Sequence, residues 1–269
     1  MKSPHIGVFD SGFGGLTVLN ALLKEIPDAC YTFLGDTARL PYGSKSRRTI
    51  AHYASEAAQY LVEQGAEYLV IACNTASALA LDAIQDAVPV PVLGVVEPGA
   101  IAAHAASKTG DVLVIATAAT VQSHAYATAC HAQGLRALEK ACPLLVPLVE
   151  EGWTDHPVTR QVIDVYLSEL RAEAKAAGLD YDTLVLGCTH YPLIRRLLEQ
   201  AVTPGVRVID SAEATAEAAV KLFGQSRAEK SETAKIRCFA TDSVEKFERL
   251  GSRFLGRPTG KVELVDLGG

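Results

Sequence analysis

Short runs of valine, isoleucine and leucine recur along the whole chain, each followed by a longer stretch with helical periodicity. Uninterrupted apolar runs alternating with amphipathic segments are the pattern of parallel strands covered on both faces by crossover helices. This reading places strands at 5–9, 30–35, 68–72, 90–95, 111–116, 143–147, 183–187, 207–210, 236–240 and 262–266. Helices are expected at 15–25, 46–64, 75–87, 120–132, 158–177, 191–201 and 212–224. Ten strands suggest two sheets, so the expected fold class is α/β, with two similar domains, each a mostly parallel sheet flanked by helices, pseudo-symmetric about a central cleft. Pro98-Gly99 and Thr203-Pro204-Gly205 punctuate the pattern. They suggest one discontinuous domain of residues 1–97 plus 208–269 and a middle domain of residues 98–207, with ligand binding in the cleft and hinge motion about the two crossings.

With 49% hydrophobic and 21% charged residues, the chain has the composition of a globular protein and not of a disordered or fibrous one. Its formal charge of -6 supplies no general attraction to nucleic acid or anionic lipid, so neither is an expected partner. The first residues show no secretory pattern and no apolar run is long enough for a membrane span, which points to the cytoplasm. Six cysteines, at 30, 73, 130, 142, 188 and 238, are then expected as free thiols.

One internal echo carries chemistry. Leu69-Val70-Ile71-Ala72-Cys73-Asn74-Thr75 returns, from position 73 to 188, as Leu184-Val185-Leu186-Gly187-Cys188-Thr189-His190. Each copy is an apolar strand that ends at a cysteine and gives way to a helix start, which puts both thiols at the strand edge where open α/β sheets bind ligands. A helix N-terminus favours the thiolate, so a lowered thiol pKa is expected at both sites. His190 stands two positions after Cys188 and could donate a proton or tune it. The other four cysteines lack such a context and read as small buried hydrophobes. Neither site has the close cysteine spacing of structural zinc.

Other strand edges are polar. Asp10-Ser11-Gly12-Phe13-Gly14-Gly15 could cradle a carboxylate, or could simply be a turn that needs glycine; its order is not that of a dinucleotide-binding loop. Asp10 there disfavours phosphate and suits an ammonium group or a neighbouring thiol. Asp36-Thr37-Ala38-Arg39-Leu40-Pro41-Tyr42-Gly43 offers backbone donors and a ring wall at Tyr42 and Gly43, or a plain surface turn. Thr117 and Thr120 could hold a ligand or cap a helix. Glu150 and Glu151 follow an apolar run, and one of them could project into the cleft. From the residues alone, three classes stay open: acid–base isomerisation, a small-acid sensor without catalysis, and hydrolysis through a nucleophilic thiol.

Together, Phe9 to Gly15, Asp36 to Gly43, Ala72 to Ser77, Val146 to Gly152 and Gly187 to Leu193 resemble the motifs of the glutamate racemases, within the cofactor-independent aspartate/glutamate racemase superfamily. The resemblance covers nearly the whole chain. It implies interconversion of L-glutamate and D-glutamate, supplying D-glutamate for peptidoglycan, with no pyridoxal phosphate and no metal. It implies Cys73 and Cys188 as the two catalytic acid–base residues, with Asp10, His190 and Glu150 assisting. Asp10-Ser11, Asp36, Tyr42-Gly43, Asn74-Thr75 and Thr189-His190 fall on substrate-binding positions, and Thr117 and Thr120 are carried with them as candidates. A homodimer is the expected assembly. An aspartate racemase is the enzymatic alternative, because chemistry at Cα does not set side-chain length.

Overall fold

The computed structural model describes residues 3–223 and 234–268. In chain order the strands are β1 (His5–Asp10), β2 (Cys30–Gly35), β3 (Tyr68–Ile71), β4 (Val92–Gly94) and β5 (Asp111–Ala116). They continue as β6 (Arg136–Ala141), β7 (Thr183–Gly187), β8 (Arg207–Asp210), β9 (Lys235–Ala240) and β10 (Val262–Leu264). The helices are α1 (Leu16–Glu25), α2 (Arg47–Glu63), α3 (Asn74–Ala87), α4 (Val96–Ala106), α5 (Ala118–Ser123) and α6 (Ala125–Ala132). After them come α7 (Leu145–Glu150), α8 (Pro157–Ala176), α9 (Arg195–Ala201), α10 (Ser211–Phe223) and α11 (Val244–Leu255).

The chain divides into two compact units, Met1–Val95 with Ala212–Gly269, and Val96–Ser211. The first carries a sheet in the order β10-β9-β2-β1-β3-β4, the second a sheet in the order β6-β5-β7-β8, and every strand pair is parallel. In the first unit Phe9, Leu34, Leu69 and Ile71 pack with Ile50, Ala54, Leu61, Ala76 and Ile84 of α2 and α3. Phe33 joins an aromatic cluster formed by Phe13 with Phe247 and Phe254 of α11, at ring separations of 5.6 to 6.3 Å. In the second unit β5 and β7 are buried along their full length. Strands buried in this way must read as continuous apolar runs, which is why they were legible.

The structure corrects several expected elements. Residues 143–147 are not a strand; most of that run lies in α7, where Pro147 sits in the first turn and gives up no helical hydrogen bond. The strand is β6, which pairs with β5 alone and occupies a sheet edge. An edge strand tolerates polar residues, and Lys140 of β6 pairs with Glu169 and Glu173 of α8 at 2.9 and 2.6 Å. Pro98 and Gly99 do not interrupt the chain but lie in the first turns of α4. The helix expected at 120–132 is broken at His124, which adopts the left-handed conformation between α5 and α6. The helix expected over 191–201 begins as a 3-10 turn, Tyr191–Ile194, and α4 and α11 match no expected helix. Residue 224, the last of the helix expected at 212–224, lies outside the described residues.

All six cysteines are free thiols; Cys30 is partly buried and the other five are buried. Among the described residues, no helix is long and apolar enough to cross a membrane.

Candidate active site

In the first unit, parallel strands bring three loops to one C-terminal sheet edge. The β1–β2 register pairs Asp10 with Gly35, and the Asp36 N–H donates to the Asp10 carbonyl at 3.0 Å. Beyond β3, the Ala72 N–H donates to the Phe9 carbonyl at 2.8 Å, so Cys73 emerges beside the Asp10 loop. Cys73 is the N-cap of α3: its sulfur accepts from the Ala76 N–H at 3.4 Å, and its thiol donates to Ser11 Oγ at 3.4 Å. Asp10 is buried, and its Oδ2 accepts from the Gly12 N–H at 2.9 Å. Asn74 and Thr75, also buried, open α3.

The expected lowering of the Cys73 pKa is overruled. Burial pushes the thiol up to about 12 and the Asp10 charge adds to the rise, outweighing the hydrogen bonds with Ser11 and Ala76. Cys73 therefore rests as a protonated thiol.

Asp36 and Tyr42 form a second group on the same edge. The Asp36 carboxylate is fully buried and accepts from Arg39 Nε, Tyr42 Oη and Thr241 Oγ1. Tyr42 is buried against Phe9 and begins a 3-10 turn, Tyr42–Ser44, that leaves Gly43 partly exposed.

The second unit repeats the placement with different chemistry. Cys188 follows β7, and its sulfur lies 4.0 Å from His190 Nδ1. That nitrogen is also 3.3 Å from Thr189 Oγ1, while His190 Nε2 is 3.3 Å from Glu150 Oε1. Glu150 thus meets the histidine from the end of α7, whereas Glu151 is exposed. Thr117 and Thr120 follow β5, whose last residue, Ala116, pairs with Gly187; their hydroxyls are 2.9 Å apart. Burial alone would favour a neutral His190 ring, but hydrogen bonds and charge from Cys188 and Glu150 prevail and raise its pKa to about 10.

This has a consequence for stability. A histidine with a folded pKa above its ordinary 6.5 contributes stability that is complete below pH 6.5 and lost as pH rises through about 10. His190→Asn is therefore expected to flatten the fall in stability over that interval, measured by urea unfolding of both proteins at matched pH values. Parallel curves would contradict a charged ring.

Residues that sequence reasoning passed over include Arg39, Glu56 and Thr241, which surround Asp36 and Tyr42. Arg39 lies within the Asp36–Gly43 segment; Glu56 and Thr241 are distant in sequence and carry no local signal.

Each of the two α/β units, built on a parallel sheet, ends a buried strand in a thiol beside an ionisable side chain. The Asp/Glu/hydantoin racemase family model matches residues 16–219, and the chain belongs to that family. A glutamate racemase of Koribacter versatilis is 55% identical, with 100% of this chain and 99% of the relative covered. A crystal structure of a glutamate racemase isoform from Bacillus anthracis matches with a TM-score of 0.88 at 36% identity, covering 99% of both chains. One from Francisella tularensis, in complex with D-glutamate, matches with a TM-score of 0.88 at 33% identity and the same coverage.

Proposed function

We propose that this chain is an isomerase that interconverts L-glutamate and D-glutamate, with Cys73 and Cys188 acting on opposite faces of one Cα. The observation that carries the reading is the duplicated strand-end thiol, supplied with Asp10 and Ser11 at one site and with His190 and Glu150 at the other. The full-length likeness to glutamate racemases selects the substrate.

Inversion requires a base on one face of the carbon and an acid on the other. Cys188 takes the Cα proton of L-glutamate while Cys73 delivers its own proton from the opposite side; for D-glutamate the roles reverse. The resting states suit the first direction, because Cys73 is held as a thiol and Cys188 stands beside a charged imidazole. Asp10 receives the substrate ammonium, whose positive charge offsets the effect of the carboxylate on Cys73. Backbone N–H groups at Asn74, Thr75, Thr189 and His190 bind carboxylate and stabilise the charge that develops as Cα becomes planar. Tyr42 and Gly43, with Thr117 and Thr120, complete the binding positions.

The reading makes the chain a cytoplasmic source of D-glutamate for peptidoglycan synthesis, working as a homodimer without pyridoxal phosphate or metal. Polarimetry of the purified, metal-free protein with each glutamate enantiomer tests it: both should decay to the same racemic end point, while aspartate should turn over at least about tenfold more slowly. A preference for aspartate, or ligand binding without loss of optical rotation, would refute the assignment. Light scattering in the same buffer tests the dimer, and a monomer mass would reject it.

A further inference from the structure

We propose that Arg39, which no part of the chemistry above uses, is a positioning residue: it anchors the buried Asp36 carboxylate, and through it the Tyr42–Gly43 turn that binds substrate. The inference rests on the proposed function and deepens it by reassigning Asp36 from substrate contact to support.

The geometry is specific. Arg39 Nε lies 2.9 Å from Asp36 Oδ1 and 2.7 Å from Oδ2. Thr241 donates to Oδ1 at 3.0 Å and Tyr42 to Oδ2 at 2.5 Å, so both oxygens of this fully buried group are engaged by the protein itself. Arg39 is in turn gripped from α2, where Glu56 Oε2 lies 2.6 Å from its Nη1 and the Tyr53 ring lies beneath its guanidinium, 4.3 Å from centroid to Cζ. Its side chain is 10% exposed. The Tyr53 ring also packs against Tyr42 at 6.3 Å. Arg39 thereby connects α2 to the loop after β2.

A buried carboxylate deprived of its cation is strongly unfavourable, and the usual relief is movement toward water. Because Tyr42 Oη is bonded to the same carboxylate, that movement would carry the Tyr42–Gly43 turn with it. Substrate binding should suffer, while the thiols, held on other loops, should keep their reactivity. Lysine can return the charge but not the planar fork that serves Asp36 and Glu56 together.

The test is steady-state racemisation in both directions by Arg39→Met, Arg39→Lys and the double variant Arg39→Met/Asp36→Asn, with thermal unfolding of each. Arg39→Met should raise the KM for glutamate by about tenfold or more with kcat within about threefold of wild type, the signature of lost binding. Arg39→Lys should fall between the two. The double variant, which buries no orphan charge, should unfold at a higher temperature than Arg39→Met. A role confined to folding would lower stability and the active fraction but leave KM alone. Unchanged KM in folded Arg39→Met and Arg39→Lys overturns the proposal; should the methionine variant fail to fold, KM of the lysine variant decides. Wild-type protein that does not racemise glutamate would instead sink the functional reading itself.

Discussion

Alanine at Cys73 or at Cys188 is expected to remove racemisation in both directions, a loss of roughly 10³-fold or more, since general acid–base groups typically contribute 10²- to 10⁴-fold and inversion needs one on each face. The groups beside the two thiols differ in kind: Asp10 and Ser11 at one, His190 and Glu150 at the other. The fold should survive. Deleting one buried sulfur costs about 1–2 kcal/mol of packing, with about 1 kcal/mol more at Cys73 for the lost α3 cap. Circular dichroism and thermal unfolding check the fold, and polarimetry from each enantiomer checks activity. Substantial turnover by either folded alanine variant would end the two-thiol account.

Gly35→Ala should be the most damaging substitution outside the thiols, because its effect enters through the backbone. A Cβ placed on Gly35 would stand 2.1 Å from the Gly12 carbonyl oxygen and 2.8 Å from the Phe247 ring. The ring can tilt; the carbonyl belongs to the loop whose Gly12 N–H holds Asp10 and whose Ser11 meets Cys73. Overpacking of this sort costs about 1–3 kcal/mol, and here relief requires moving that loop. The expected result is a fall in melting temperature of about 3–10 °C together with a drop in kcat/KM of at least about tenfold. Differential scanning fluorimetry and initial rates measure both. Unaltered activity would mean that the Asp10–Ser11 loop need not be held where it is.

How much of this was legible in the sequence depends on how far each property is a local one. Strands such as β1, β5 and β7 are enclosed on both faces, so their residues had to be apolar and announced themselves. The edge strand β6 faced no such demand, and the nearby run that looked like a strand is a helix. The helix also separates Glu150 from Glu151: at the end of α7 Glu150 reaches His190 while Glu151 stays exposed. The missed α11 does carry a signal, since Phe247, Leu250, Phe254 and Leu255 recur at helical spacing among charged neighbours. The strand-end thiols were visible because they repeat. Their protonation was not, because burial and the Asp10 charge are three-dimensional facts that overturn the expected helix-terminus effect at Cys73. The support for Tyr42 was equally hidden, as Thr241 reaches Asp36 from 205 residues away.

The central claim, that one thiol takes a proton from Cα while the other gives a different proton to the opposite face, is tested most directly by wild-type turnover in deuterium oxide, followed at early times by mass spectrometry of the separated enantiomers. Starting from L-glutamate, the account predicts D-glutamate fully labelled at Cα while the recovered L-glutamate stays unlabelled, with the mirror result from D-glutamate. Product that retains the original Cα proton, or substrate that gains deuterium as fast as product forms, would contradict it.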